Sequence, residues 1–450
     1  MEISEKAMHL INLIQNAGYE AFAVGGCVRD SIMDRHCSDI DITTSAPPTE
    51  VEGILSKNNI HFIETGLKHG TITAVVDKEP FEITTYRTES EYKDNRHPES
   101  VEFVTDLRQD LSRRDFTVNA MAYNEASGIV DLFGGRQDIK SRLIRCVGDA
   151  DTRFKEDALR IMRAIRFSSV LCFDIEENTK KAILDNRHLL KNVSAERLFS
   201  ELSELLLGDN VFNVLIEYKE VIAVFLPELE PMFCCKQNNP WHIYDVWEHT
   251  CKTVAKSPEN LKLRLTMLFH DVGKPYSKTT DDNGIDHFKG HQKISAEITS
   301  AALKRLKVSN EIYDFAMTLI PIHDVHISNE KKCIKRWLNR LGKDCNGNYY
   351  LLSLIEVKRA DKLGQNIEKT SDELERLDLL ERKINDVIEL KEAISVSDLD
   401  VSGFDLMALG IRGKNIGNAL DVLLDMVINE ELENKKCVLL EYLKNNLLSQ

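Results

Sequence analysis

The chain has 450 residues, with 58 Lys and Arg against 73 Asp and Glu, a formal charge of −15. At about 100–200 residues per domain this length predicts two to four domains, and 42% apolar with 29% charged residues is an ordinary globular composition. No apolar run approaches the roughly 20 residues of a membrane helix, Met1–Lys6 lacks the basic and greasy regions of a secretory signal, and ten scattered cysteines predict free thiols in a cytoplasmic protein.

The acid excess speaks against broad attraction to nucleic acid, but it is uneven. Residues 1–100 and residues 371–450 each carry nine basic and seventeen acidic side chains, a net of −8 apiece. Residues 101–170 carry twelve basic and eleven acidic side chains, and 171–370 carry 28 of each. A whole-chain charge therefore says little about local partners.

In chain order, the apolar spacing predicts a helix over Glu5–Ala17. Strands follow at Ala21–Val24, Ile40–Thr44, His61–Thr65, Thr71–Val76 and Phe81–Tyr86, punctuated by Gly25-Gly26, Pro47-Pro48 and Gly70. The polar stretch from Arg87 to Ser100 reads as a mobile loop. From about Asp149 the texture is helical: Phe154–Ser169, Ala195–Leu207, Thr250–Ala255, Leu263–His270, Ile294–Leu306, Leu351–Leu363, Asp372–Leu390 and Asn418–Ile428. Pro275–Gly290 and Leu341–Gly347 read as weakly structured.

The first chemical constellation is Val24-Gly25-Gly26-Cys27-Val28-Arg29-Asp30, with Asp39-Ile40-Asp41 nine residues on. On a strand, residues i and i+2 share a face, so Asp39 and Asp41 would present paired carboxylates. Such a pair suits Mg²⁺, which prefers oxygen ligands shared with phosphates. The glycines let backbone N–H groups approach a triphosphate, and Arg29 can neutralise part of it. Asp-X-Asp alone would be an ordinary solvated turn; the coincidence with Gly-Gly-X-X-Arg-Asp favours phosphoryl or nucleotidyl transfer.

This signature resembles that of the class II tRNA nucleotidyltransferases, the CCA-adding enzymes, and of their relatives the bacterial poly(A) polymerases. Further motifs follow in order: Arg113-Arg114-Asp115-Phe116-Thr117-Val118-Asn119, Asp131-Leu132-Phe133-Gly134-Gly135, Arg153-Phe154 with Glu156-Asp157-Ala158-Leu159-Arg160, and Ser194-Ala195-Glu196-Arg197 with Glu201. The similarity covers roughly residues 20–205. One departure is Ala150, where the family often has proline; it removes no ligand.

The resemblance implies that Asp39 and Asp41 bind a catalytic Mg²⁺, which activates the primer 3′-hydroxyl and steadies the leaving pyrophosphate. It places Gly25, Gly26 and Arg29 along the triphosphate and Arg114 near the ribose 2′-hydroxyl, while Asp115 can instead be structural, pairing with an arginine. It makes Asp157 and Arg160 the base-reading pair. A carboxylate accepts from an amino group and a guanidinium donates to ring nitrogen or carbonyl, which cytosine and adenine satisfy and uracil does not. Arg163 and Arg166 extend that stripe towards phosphates; on periodicity alone the three arginines are a solvated helix face. The segment Tyr86–Pro98 matches the flexible loop of complete CCA-adding enzymes. Glu82 is either a further carboxylate of the site or a plain sheet residue.

The second constellation is His249, then His270-Asp271-Val272-Gly273-Lys274, then His291, His323 and Asp361. Imidazoles and carboxylates on converging helices can make a divalent-metal site. The order resembles the HD superfamily of metal-dependent phosphohydrolases. That resemblance implies a core set of His249, His270, Asp271 and Asp361, with His291 and His323 for a second metal, and hydrolysis of 2′,3′-cyclic or 2′-phosphates at tRNA ends. The stretch Ser402–Gly417, with Arg412 and Lys414, resembles the tail expected to hold the tRNA elbow; a bland helix turn fits it equally.

The combined expectation is an α+β N-terminal nucleotidyltransferase domain on a mixed sheet, followed by all-α neck, HD and tail domains. The boundaries are 1–147, 148–230, 231–370 and 371–450. The activity expected is template-independent addition of CCA to the 3′ end of tRNA from CTP and ATP with Mg²⁺, the protein contacting the acceptor stem and elbow. The alternatives are a poly(A) polymerase, a CC- or A-adding enzyme, or a phosphohydrolase with an inactive first domain.

Overall fold

The computed structural model describes residues 3–37, 39–67, 70–89, 101–342, 347–390 and 392–446. Its contacts divide the chain into two compact units, residues 1–230 with 305–307, and residues 231–304 with 308–450.

The first unit opens with helix α1 (Glu5–Asn16), whose first turn is capped by the Ser4 side chain accepting the Ala7 N–H. Its buried stripe of Ala7, Leu10, Ile11 and Ile14 is the one that periodicity predicts. Strand β1 (Ala21–Val24) leads into α2 (Gly26–Ile32), β2 (Asp41–Thr44) and α3 (Pro48–Lys57). Proline sits at the start of α3, where its missing N–H costs nothing. Next come β3 (His61–Gly66), β4 (Thr71–Val76), β5 (Glu79–Thr85), β6 (Arg87–Glu89), β7 (Val101–Phe103), α4 (Leu107–Ser112), β8 (Met121–Asn124), β9 (Gly128–Asp131) and α5 (Gly135–Ser141). Seven strands form one sheet in the order β3-β4-β5-β2-β1-β8-β9. Only the β2–β5 pair is parallel; the other five ladders are antiparallel. This is the mixed sheet the sequence predicts. The core beneath it joins α1, α2 and α3 to β2 and β4 through Ile11, Ile14, Val28, Ile42, Leu55 and Ile72. Arg87–Glu89 pairs with Val101–Phe103 as a separate ladder, whereas the rest of the predicted loop, residues 90–100, lies outside the described residues.

Helices continue the unit: α6 (Ala150–Glu156), α7 (Leu159–Leu171), α8 (Glu177–Asn186), α9 (Ala195–Leu207), α10 (Val211–Glu217) and α11 (Lys219–Ile222). The helix predicted over Phe154–Ser169 is broken in two. Asp157 leaves helical geometry at φ −132° and ψ 104°, and its side chain accepts the Leu159 N–H at 3.1 Å. A short carboxylate that can satisfy a nearby backbone donor competes with helix continuation. All three arginines of the stripe fall on α7.

Asp115 ties α7 to the strand region before it. Its carboxylate is buried; Oδ1 accepts from the Phe116 N–H at 2.8 Å and from Asn119 at 3.1 Å, and Oδ2 accepts from Arg163 Nε at 2.7 Å. Burial alone would raise its pKa, but Arg163 and the hydrogen bonds from Asn119 and Phe116 hold it down at about 2. The structural role for Asp115 is the one the structure displays.

The second unit is helical: α12 (Val246–Lys256), α13 (Leu261–Phe269), α14 (Lys274–Ser277), α15 (His291–Arg305), α16 (Asn310–Leu319), α17 (Lys331–Gly342), α18 (Gly347–Leu363), α19 (Ile367–Glu389), α20 (Gly403–Ala408), α21 (Lys414–Ile428) and α22 (Lys436–Asn446). Pro275–Gly290, read as weakly structured, instead carries α14 and a two-stranded ladder of Thr279–Thr280 with Asp286–His287. The Asp286 carboxylate organises it, accepting from Asn238 N–H and Thr280 while pairing with Lys278 at 2.8 Å. The C-terminal helices bury Leu406, Leu423, Leu424 and Leu439 in a core of their own. Every cysteine among the described residues is a free thiol. Among the described residues no helix is long and apolar enough to cross a membrane.

Two predictions follow from this packing. Gly208 closes α9 against α7, where an added Cβ would stand 2.5 Å from the Ser169 backbone carbon. Gly208→Ala should cost roughly 1–3 kcal/mol, read as a lowered midpoint in thermal melting. Asp115 has a folded pKa of about 2, below the roughly 3.9 of an unfolded Asp. Its stabilisation is therefore present above about pH 4 and lost as pH falls towards 2, and is on the order of 2 kcal/mol. Asp115→Asn should lower stability at pH 7 and flatten its decline below pH 4 in urea titrations at several pH values.

Candidate active site and candidate metal centre

The first site is assembled by strand register. Val24, the last residue of β1, lies opposite Asp41, the first of β2, and Asp41 lies opposite Glu82 of β5. Directly opposed residues point to the same face, so Asp41 and Glu82 present neighbouring carboxylates. The expected i, i+2 pairing of Asp39 with Asp41 on one strand is corrected. The β1–β2 ladder ends at Val24 and Asp41, so Asp39 has no strand partner and sits two residues before β2, exposed to solvent. Asp39 still acts on Asp41 through space: desolvation, then Glu82 and Asp39, push the Asp41 carboxyl up, while Arg114 opposes them.

Beyond Val24 the chain turns at Gly25, with φ +85° and ψ −132°. A side chain there would be strained, and its Cβ would come within 3.1 Å of Arg114 NH1. Gly25, Asp41 and Arg114 thus converge. Arg114 is drawn to Asp110 at 3.6 Å. Asp110 is fully buried, takes a hydrogen bond from Thr43 at 3.1 Å and pairs with Arg113 at 2.8 Å. Burial would raise its pKa, but Arg113 and Arg114 hold it below the usual range.

Arg29 is buried in α2, its guanidinium hydrogen bonded twice to Asp30 at 2.9 Å and to Asn119 at 2.6 Å. Asp157 pairs with Arg197 at 3.2 Å, whereas Arg160 pairs with Glu156 at 2.7 Å and donates to the Arg113 carbonyl at 2.9 Å. Asp157 and Arg160 therefore lie at one helix start, joined by the Arg160 N–H donating to the Asp157 carbonyl at 3.0 Å, while their side chains pair with Arg197 and Glu156. Arg163 is held by Asp115 at 2.6 Å, and Arg166 by Glu201 at 3.0 Å. The solvated-face reading of the stripe fails, since none of the three is exposed. Sequence reasoning missed the anchoring roles of Asp110, Asn119 and Glu156. The Asp110–Arg113–Arg114 spacing of three and four on a helix is the signal that could have found the first.

In the second unit, six predicted ligands meet. His249 Nε2 is 3.4 Å from Asp271 and 3.1 Å from Asp361; His270 Nε2 is 3.2 Å and 3.7 Å from the same two carboxylates. On the other side of Asp271, His291 Nε2 lies 3.3 Å and His323 Nε2 3.8 Å from Oδ1, with 3.3 Å between the two imidazoles. One donor atom from each of His249, His270, Asp271 and Asp361 falls within a 4.8 Å cluster, and so does one from each of Asp271, His291 and His323. All four histidines have Nδ1 against a backbone carbonyl: Gly364 at 3.1 Å, Met267 at 2.7 Å, Phe288 at 2.7 Å and Ile320 at 2.8 Å. Donation there turns each Nε2 towards the carboxylates, an arrangement that wants a cation on the ring nitrogens, whether a metal ion or a proton. His249 Nε2 and His270 Nε2 are buried with no hydrogen-bond partner. Burial opposes charge on His270, yet Asp271 and Asp361 raise its pKa to about 9; burial and the neighbouring His270 lower His323 to about 4. The donor set fits a divalent transition metal. It opens into a cleft of about 510 Å³ whose wall carries Lys274, His287, Lys289 and Lys362. Gly273 is required by close packing, since a Cβ there would stand 2.5 Å from the His291 carbonyl oxygen.

Comparison with known proteins agrees with these features. The family model for the poly A polymerase head domain matches residues 21–145. A model for an RNA and SrmB-binding site of polymerase A matches 172–233, and tRNA nucleotidyltransferase domain 2 matches 282–443. The CCA-adding enzyme of Lactobacillus helveticus is 34% identical over 444 residues, 98% of this chain and 96% of that protein. That of Bacillus cereus is 51% identical over 231 residues, 51% of this chain and 57% of that one. In structure, the Bacillus stearothermophilus CCA-adding enzyme in complex with CTP superposes with a TM-score of 0.71 at 28% identity, over 99% of this chain and 98% of that one. With a glycine turn, paired strand carboxylates and an anchored arginine in its first unit, and similarity along nearly its whole length, the chain belongs to the family of CCA-adding enzymes, the tRNA nucleotidyltransferases built on the poly A polymerase head domain.

Proposed function

We propose that this chain adds CCA to the 3′ end of tRNA without a nucleic-acid template, from CTP and ATP, releasing pyrophosphate. The observation that carries this reading is the convergence of Gly25, Asp41, Glu82 and Arg114 at the end of β1 and the start of β2. Asp39 and Asp41 are the residues that would hold Mg²⁺, and exposed neighbouring carboxylates, open to a hydrated ion, are a fitting donor set for it. A divalent ion there supplies Lewis-acid stabilisation of the triphosphate and of the attacking hydroxyl. The Gly25-Gly26 turn admits the triphosphate close to the backbone, and Arg29 lies along it. Arg114, anchored by Asp110, meets the ribose.

Base choice rests on Asp157 and Arg160. Both are fixed by neighbours, Asp157 by Arg197 and Arg160 by Glu156, so little side-chain entropy remains to be lost on binding. Asp157 accepts from the exocyclic amino group of cytosine or adenine, and Arg160 donates to ring acceptors. A uracil would leave these groups mispaired in a buried setting, which is costly. The proposed division is a head over 1–147, a neck over 148–230, an HD domain over 231–370 and a tail over 371–450 that holds the tRNA elbow.

A second activity is favoured by the histidine-carboxylate centre. His249, His270, Asp271 and Asp361 would hold one divalent metal, and His291 and His323 with Asp271 a second. Metal ions held by these carboxylates, with Lys289 on the cleft wall, would meet an anionic phosphoester, so we assign the cleft metal-dependent hydrolysis of 2′,3′-cyclic or 2′-phosphates at tRNA ends.

Asp41→Asn should abolish incorporation of labelled CMP and AMP into tRNA lacking CCA, with the melting curve retained; a variant with wild-type incorporation would sink the first reading. His270→Ala combined with Asp271→Ala should abolish metal-dependent hydrolysis of a 2′,3′-cyclic nucleotide and leave CMP incorporation intact. A wild-type protein without hydrolysis under any divalent metal would end the second.

A further inference from the structure

Three guanidiniums converge on one aromatic ring in the first unit. The centre of the Arg166 guanidinium lies 4.2 Å from the Phe167 centroid, that of Arg29 5.1 Å and that of Arg163 5.4 Å, and Phe116 meets the same ring edge-on at 5.8 Å. Three cations around one buried side chain repel one another. The arrangement is offset by three carboxylates: Asp30 on Arg29, Asp115 on Arg163 and Glu201 on Arg166. Asn119 joins the first to the second, accepting from Arg29 and donating to Asp115. Glu201 joins the second to the third, lying 3.8 Å from Arg163 and 3.0 Å from Arg166. The result is a belt from Asp30 to Arg166 wrapped on the Phe167 ring, linking α2 to α7 and α9.

We propose that Phe167 is a positioning residue for nucleotide binding, setting the plane of the Arg29 guanidinium. The inference rests on the reading of Arg29 as a triphosphate residue. A guanidinium has five N–H donors. Arg29 uses one at Nε and one at NH2 for Asp30, and one at NH1 for Asn119. Two have no partner among the described residues, and their direction is fixed by the plane of the group. The group lies over the Phe167 ring and close to the start of α2, where a Cβ added at Gly26 would lie 3.6 Å from Arg29 NH2. The remaining donors are thus carried at the start of α2, beside the Gly25 turn. Because Asp30 already balances the charge of Arg29, what this group offers a triphosphate is direction more than net charge. A ring face attracts a guanidinium through its quadrupole, which an aliphatic side chain of similar bulk lacks.

The test is steady-state incorporation with tRNA lacking CCA, using Phe167→Leu, Phe167→Met and Phe167→Tyr beside the wild type. For a folded Phe167→Leu or Phe167→Met, the KM for CTP and for ATP should rise about tenfold. The kcat and the KM for tRNA should stay within about twofold, the pattern of lost uniform nucleotide binding. Phe167→Tyr, which keeps the ring face, should restore the nucleotide KM. Arg29→Lys is the companion arm and should also raise the nucleotide KM. The proposal is overturned if the folded aliphatic variants keep a wild-type nucleotide KM, if their KM for tRNA rises equally, or if Phe167→Tyr fails to restore. A raised nucleotide KM in Arg29→Lys with none in the Phe167 variants rejects the positioning role alone. A wild-type KM in Arg29→Lys rejects the reading of Arg29 itself.

Discussion

The buried Asp115–Arg163 pair is the interaction on which the first unit depends. A carboxylate with that little solvent access is tolerated only if its charge is matched and its oxygens are bonded. Arg163, Asn119 and a backbone N–H meet both conditions. Because Asp115 follows Arg113 and Arg114 directly, fixing it also fixes where those two arginines leave the chain. Because Arg163 stands in the middle of α7, it fixes the helix whose first turns hold Arg160. The same pair therefore serves both the part of the site proposed to meet the ribose and the part proposed to meet the base.

The two units handle buried charge in opposite ways. In the first, arginines and carboxylates balance within the protein: Asp110 with Arg113 and Arg114, Asp115 with Arg163, Glu201 with Arg166. In the second, carboxylates and imidazole Nε2 atoms face one another around Asp271. Lys274, 2.7 Å from Asp271 and bonded to Gln237, is the nearest fixed cation. The whole-chain charge of −15 is thus a poor guide to either centre. Acidity at the ends coexists with locally saturated arginines in the middle.

Much of the fold was legible because it depends on neighbours in sequence. The limits of Ala21–Val24, Thr71–Val76 and Ala195–Leu207 fall where glycine punctuation and apolar spacing place them. The clustering of the histidines and carboxylates was legible through a motif, although Asp361 reaches His249 from the far end of α18, which spacing could not indicate. What was not legible depended on side chains competing with the backbone or on partners distant in sequence. The break at Asp157 needed its carboxylate to take the Leu159 N–H. The carboxylate directly opposite Asp41 is Glu82, a strand pairing that no local window contains. The arginine stripe had helical spacing whichever way its groups faced, and Asp115, Glu156 and Glu201 decided the matter.

The histidine tautomers have a consequence beyond chemistry at the centre. Each Nδ1 is spoken for by a carbonyl at the end of a helical turn or loop, so the backbone, once folded, dictates which nitrogen is left over. An unfolded chain has no such preference. A divalent ion would therefore meet four Nε2 atoms already oriented in the folded unit, displacing the proton that the carboxylates favour on His270, and only unoriented imidazoles in the denatured ensemble, and by mass action would favour the folded form. If the proposed centre holds a metal, its supply would then set how long the second unit survives proteolysis and heat, separate from whether it turns over any substrate.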